Sequence, residues 1–174
     1  NLAISDRIVM REIVDTLYGY AMDGGIYALL GPGGEGKTTI LMQLCAKLVS
    51  DEIPVFYYRG HGTLKLPDDI PDKAVFIMDN PPYSRTFKHF LDNVIEDGRT
   101  LIIGGRQNEW NLLKTSLSIP DRIVFEIPLQ KLTTEECGHF TECVITNLNC
   151  SKSRTDIKEL FQNNSYGFLY AAML

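Results

Sequence analysis

Several things are scarce in this chain. Its 174 residues include four cysteines, three histidines and one tryptophan. Four thiols spread over that length, Cys45, Cys137, Cys143 and Cys150, do not make a disulfide scaffold and suit a reducing cytoplasm. There is no basic excess: 17 Lys and Arg against 22 Asp and Glu leave a net charge of −5. That balance weighs against a free-standing nucleic-acid binder, which carries a basic patch or stripe. No apolar run approaches the length of a membrane span. Internal repeats and low-complexity tracts are lacking too. The opening Asn1-Leu2-Ala3-Ile4 has no initiator Met and is not a secretion signal, and residues 168–174 stop within an apolar segment. These ends read as those of a fragment cut from a longer chain, or of a processed one.

What is present is ordinary in bulk and specific in one place. Hydrophobic content is 44% and charged content 22%, as in a globular domain. A chain of this size buries roughly 70% of its unfolded surface, enough for a proper core. The specific place is Gly31-Pro32-Gly33-Gly34-Glu35-Gly36-Lys37-Thr38, which fits the pattern G-x-x-x-x-G-K-[ST]. Residues 26–30 before it read as a short buried strand, and residues 39–49 after it read as a helix. Strand, glycine loop and helix together form the phosphate-binding arrangement. Gly33, Gly34 and Gly36 lack Cβ, so their N–H groups can approach phosphate oxygens. The helix that begins near Lys37 presents its positive end to the same point. Lys37 would reach the β- and γ-phosphates, and the Thr38 hydroxyl would ligate Mg2+. The ligand class this pattern implies is a nucleoside triphosphate with magnesium.

The remaining pattern is strand alternating with helix. Residues 5–20 read as an opening helix, with Ile8, Val9, Ile13, Val14 and Leu17 at helical spacing. Further strands are expected at 55–58, 74–78, 100–103 and 122–127. A helix capped by Ser84 carries Phe87, Phe90, Leu91, Val94 and Ile95 and ends at Gly98. Such alternation implies a parallel α/β sheet over residues 1–130. From 131 to 174 the texture is helical. Thr133-Thr134-Glu135-Glu136 is a capping box with Leu132 and Cys137 as its staple, and Ile157, Leu160 and Phe161 mark another helix. Cys137, His139, Cys143 and Cys150 raise the question of zinc. Their spacing matches no zinc pattern known to us; on a helix 137 and 139 diverge while 139 and 143 share a face, and ordinary reduced thiols outweigh a zinc site.

Asp79 closes the apolar run Ala74-Val75-Phe76-Ile77-Met78 and supplies the acid that a phosphoryl-transfer site holds near Mg2+. The next residue is Asn80, which can orient a water but cannot take its proton. Slow turnover follows, or a base from elsewhere, with Glu109 one candidate and Glu35 a poorer one. Arg106 follows the strand at 100–103, at the end of the sheet that faces a ligand crevice. It reads either as a sensor of the γ-phosphate or as a surface Arg paired with Glu109. Arg59 ends another strand and is a second candidate for phosphate. Trp110 reads as packing against the sheet.

With these residues placed, the chain resembles the bacterial STAND ATPases, signal-transduction ATPases with numerous domains. The resemblance covers roughly residues 5–174. It rests on the glycine loop through Thr39, on Val75-Phe76-Ile77-Met78-Asp79-Asn80, and on Leu101-Ile102-Ile103-Gly104-Gly105-Arg106-Gln107-Asn108-Glu109-Trp110. The stretch from Ile127 to Glu136 resembles that group's approach to a helical subdomain. The resemblance implies a five-stranded parallel sheet in the order 5-1-4-3-2 in a three-layer P-loop NTPase fold. It implies Lys37 and Thr38 on phosphate and Mg2+, Asp79 on Mg2+, and Arg106 as a γ-phosphate sensor. The site expected for ATP or ADP is therefore Gly31, Gly33, Gly34, Glu35, Gly36, Lys37, Thr38 and Thr39, with Thr38 and Asp79 on Mg2+ and Lys37, Asp79, Asn80 and Arg106 as the candidate catalytic residues. The resemblance further implies a slow ATPase switch flanked by sensor and effector domains, homo-oligomeric in the full protein, and often set in anti-phage defence. Asn80 stands where many relatives have an acid, and Tyr166-Gly167-Phe168-Leu169 where many have Gly-x-Pro. Two other readings stay open: a motor ATPase acting on nucleic acid, and a non-hydrolysing module that keeps ADP bound.

Overall fold

A computed structural model describes residues 9–59, 64–148 and 152–163. Readings that fall on residues 5–8, on Cys150 and on 164–174 lie outside those described. Five strands form one parallel sheet: β1 Ile26–Leu30, β2 Val55–Arg59, β3 Val75–Asp79, β4 Thr100–Gly105 and β5 Phe125–Pro128. Their order is β2-β3-β4-β1-β5, the order expected from the resemblance. Every residue of β3 and β4 is buried, which is why those stretches read as unbroken apolar runs rather than alternating ones.

Alternate strand residues serve opposite faces. Ala28, Leu30, Phe76, Met78, Leu101 and Ile103 pack on one side against α3 Arg85–Glu96 and α4 Gln107–Leu117. Leu29, Val75, Ile77 and Ile102 pack on the other side against α1 Ile13–Asp23 and α2 Lys37–Ser50. The result is three layers, helix, sheet and helix. In α2 the stripe Ile40, Leu41, Leu44 and Leu48 is wholly inside, and each such side chain contributes about 1.5–3 kcal/mol of burial. The strand register sets Leu30 level with Gly105, and Asp79 level with Gly104, at the C-terminal rim.

Three local expectations need correction. The first helix begins at Ile13, and residues 9–12 run outside it. The Gln43 side-chain amide of α2 explains this: it donates to the Val9 carbonyl at 2.8 Å and accepts from the Arg11 N–H at 3.4 Å. Tertiary hydrogen bonds thus override the apolar spacing that suggested helix. Residues 121–123 form a short 3-10 turn after Pro120, so the last strand starts only at Phe125. Ser84 does sit at the N-cap of α3, yet its hydroxyl pairs with Thr86 Oγ1 at 2.8 Å and not with a helix N–H.

Beyond β5, α5 Thr134–Leu148 and α6 Arg154–Asn163 pack on one another through Cys137, Phe140, Ile157 and Phe161. The capping box of α5 is formed: Thr133 N–H donates to Glu136 Oε2 at 2.9 Å, and Glu136 N–H to Thr133 Oγ1 at 3.1 Å. Leu132 packs on the same cluster as Cys137, as a staple should. Glu136 also accepts from Arg11 Nε at 2.8 Å and from the Glu12 N–H at 3.0 Å, with both Arg11 and Glu136 buried. Cys137 is part of an apolar core and His139 is exposed; among the described residues no three His, Cys, Asp or Glu side chains gather as a metal site.

Candidate nucleotide-binding site

The rim of the sheet brings together residues distant in sequence. Gly34 and Gly36 have φ of +82° and +79°, values at which a side chain would be strained, and Gly36 serves as the N-cap of α2. The loop therefore bends tightly and delivers Lys37 and Thr38 into the first turn of the helix. Lys37 is only 8% exposed. Its Nζ donates to the carbonyl oxygens of Gly31 at 3.0 Å and of Pro32 at 2.5 Å. Burial lowers its pKa, against the pull of the Glu35 carboxylate. An ammonium turned inward on its own loop, short of water, suits an anion of high charge.

Thr38 Oγ1 donates to Asp79 Oδ2 at 2.7 Å, so the hydroxyl and the strand-end carboxylate expected on one divalent ion do lie side by side. Asp79 is 9% exposed. Close beside it stands a glycine whose role sequence reasoning overlooked. A Cβ on Gly104 would stand 2.6 Å from Leu41 Cδ1 and 3.3 Å from Asp79 Oδ1. Only glycine lets β4 pass that close to both. Asn80 follows in the left-handed region, φ +54°, and its N–H donates to the Gly104 carbonyl at 2.8 Å. Asparagine tolerates that conformation better than most residues.

Arg106 occupies the N-cap position of α4 at the rim, and of the two alternatives posed for it the pair with Glu109 is formed. Its guanidinium lies over the loop, where a Cβ on Gly33 would be 3.2 Å away. At the same time Nη1 donates to Glu109 Oε1 at 3.0 Å, with the pair 56% and 43% exposed. A cleft of about 100 Å3 opens beside them, lined by Asn80, Tyr83, Arg106, Glu109 and Trp110 among others. Glu35 lies against Gly31 on the other flank of the loop, and burial raises its pKa despite Lys37, Arg11 and Lys131 nearby. The register sets Arg59 level with Asp79, though its side chain lies outside the described residues. Thr39 stands exposed in the first turn of α2.

Helix α4 itself was not anticipated. Its signal was present in Trp110, Leu113 and Leu117, which keep helical spacing after Arg106 and reach the core. Trp110 is buried against the sheet as expected, and its Nε1 donates to Glu126 Oε1 at 2.9 Å. Lys114 and Gln107 also reach the Glu126 carboxylate, which ties α4 to β5.

Among the described residues no helix is long and apolar enough to cross a membrane. No protein of curated function matches the chain. Solved structures do. The Thermotoga maritima RuvB Holliday junction branch migration motor is similar at 15% identity and a TM-score of 0.59, over 97% of this chain and 63% of that one. A second Thermotoga maritima RuvB structure is similar at 16% identity and a TM-score of 0.64, with the same coverage. AMPPCP-bound DnaA from Aquifex aeolicus is similar at 15% identity and a TM-score of 0.57, over 93% of this chain and 57% of that one. The chain thus spans less than two thirds of the length of each of these proteins, and at such identities the likeness shows the fold alone. A sequence model of the family described as novel STAND NTPase 5 matches residues 1–118. With the three-layer sheet and its glycine loop in view, and with well over half of its length matched, the chain belongs to the novel STAND NTPase 5 family.

Proposed function

We infer that this chain is the ATP-binding switch module of a larger STAND protein, with slow Mg2+-dependent hydrolysis. The observation that carries the reading is the convergence at one rim of a buried Lys37, the Thr38–Asp79 pair and the Arg106 guanidinium over Gly33. The donor set fits a magnesium nucleotide. The N–H groups of Gly33, Gly34, Glu35 and Gly36, with the N-terminus of α2, would cradle the phosphates, and Lys37 would exchange its loop carbonyls for phosphate oxygens. Thr38 and Asp79 would hold Mg2+, which supplies charge neutralisation at the phosphates when bound. Arg106 would register the γ-phosphate and so give ATP and ADP different affinities, which any switch requires. Asn80 would orient water without accepting its proton, in keeping with slow turnover.

Residues 131–174 would begin a helical subdomain whose setting depends on the nucleotide. Sensor and effector domains would flank the module, homo-oligomerisation would follow in the full protein, and anti-phage defence is the setting the family resemblance suggests. Calorimetry with ATP and ADP in the presence of Mg2+ tests the core of this. The parent is expected to bind both. Lys37→Ala should bind neither, and Arg106→Ala should keep ADP while losing its preference for ATP. Equal ATP and ADP affinities in parent and Arg106→Ala alike would remove the sensor. A phosphate-release assay with and without DNA separates this reading from a nucleic-acid motor, which would turn over briskly and respond to DNA.

A further inference from the structure

Arg106 meets two groups at once. Its guanidinium lies over the phosphate loop at Gly33, and its Nη1 donates to Glu109 Oε1 at 3.0 Å. Glu109 stands in the first turn of α4, and that turn is held from outside. Tyr83 Oη donates to the Glu109 carbonyl at 2.7 Å, and Trp110 next to it is anchored on Glu126. The backbone at 109 is fixed, while the carboxylate, 43% exposed, has water to turn into. Both charges also act on Lys37, Arg106 lowering its pKa and Glu109 raising it, so the pair lies within electrostatic reach of the loop.

We propose that Glu109 is a built-in rival of the terminal phosphate: its carboxylate holds the Arg106 guanidinium until a γ-phosphate takes that place, and the strength of this pair sets how far the site prefers a triphosphate to a diphosphate. The inference rests on the nucleotide reading above and adds a regulator to it. A guanidinium suits carboxylate and phosphate equally in geometry, and two anions on one guanidinium repel each other. A diphosphate has no third phosphate to offer and leaves the pair intact. A triphosphate competes with it for the same guanidinium charge. An exposed pair of this kind is worth about a two- to five-fold factor in an equilibrium constant. Glu35, the other carboxylate beside the loop, has no hydrogen bond to Arg106 among the described residues and makes a control for bulk charge.

The test is calorimetry on the 174-residue protein with ATP and with ADP, each with Mg2+. The variants are Glu109→Gln, Arg106→Ala, both together, and Glu35→Gln. Glu109→Gln is expected to tighten ATP by about two- to five-fold and to leave ADP unchanged. That gain should vanish in the Arg106→Ala background, whereas Glu35→Gln should shift ATP and ADP alike. A gain shared by ADP, or one that persists without Arg106, would reduce Glu109 to general charge and overturn the proposal. Weaker ATP binding in Glu109→Gln would overturn it as well. If the parent binds neither nucleotide, the reading of the whole site fails with it. If the parent separates ATP from ADP and Glu109→Gln leaves that ratio unchanged, only the rivalry fails.

Discussion

Alanine at Gly104 would force a methyl group into the tightest place at the rim. The new Cβ would stand 2.6 Å from Leu41 Cδ1, well inside contact distance, and 3.3 Å from Asp79 Oδ1. Leu41 is fully buried, so its side chain cannot swing into water. β4 is hydrogen-bonded on both sides, to β1 and β3, and cannot retreat. The strain must be taken up by a displaced Leu41 or Asp79. Overpacking of this kind costs about 1–3 kcal/mol. For a chain of this length that lowers Tm by about 2–12 °C. Leu41→Val removes the offending Cδ1 and alone costs about 1 kcal/mol. In the double variant the two changes should compensate, with a coupling of about 1 kcal/mol or more. Thermal unfolding followed by circular dichroism on the parent, both single variants and the double measures this. Gly104→Ala within about 0.5 kcal/mol of the parent would refute the steric argument. So would a double variant whose losses simply add.

Two further outcomes are expected. Glu136→Ala would strip a buried Arg11 of its counter-charge and leave it the Gln130 carbonyl at 3.1 Å, a loss of about 3–5 kcal/mol; a fall in Tm of only one or two degrees would contradict that. The Glu126 carboxyl is raised by burial, but hydrogen bonds from Lys114, Trp110 and Gln107 outweigh this and hold its pKa below the ordinary 4.5. Its contribution is therefore complete above about pH 4.5 and fades as pH falls through the lowered folded value, so the stability of Glu126→Gln should fall less than the parent's on acidification, as read by urea midpoints across that range.

Much of this was legible from the chain itself. The glycine loop, the buried strand ending in Asp79 and the capping box at Thr133 and Glu136 are local patterns with local causes, and each formed where the residues placed it. The strand order was different in kind: nothing in the alternation of strands and helices distinguishes β2-β3-β4-β1-β5 from other windings, and the order came from family resemblance. The misreadings trace to contacts across the fold. Val9 continues the apolar spacing of α1, yet the Gln43 amide and the α5–α6 cluster draw it elsewhere. Helix α4 was obscured because the exposed Leu112 and the polar residues between Leu113 and Leu117 blur its apolar face, and because the bonds of Gln107, Trp110 and Lys114 to Glu126 tie it to another element. Gly104 looked like one more small residue after a strand; its need for no side chain is set by Leu41, far away in sequence.

The amide of Gln43 grips the backbone ahead of the first helix, and Arg11 in that same stretch reaches across to Glu136 on α5. Residues 9–12 are thus an internal strap that fastens the helix rising from the phosphate loop to the helices that follow the sheet. A boundary drawn at Ile13, where regular structure starts, would cut that strap and strip Gln43 and Glu136 of the partners they have in residues 9–12.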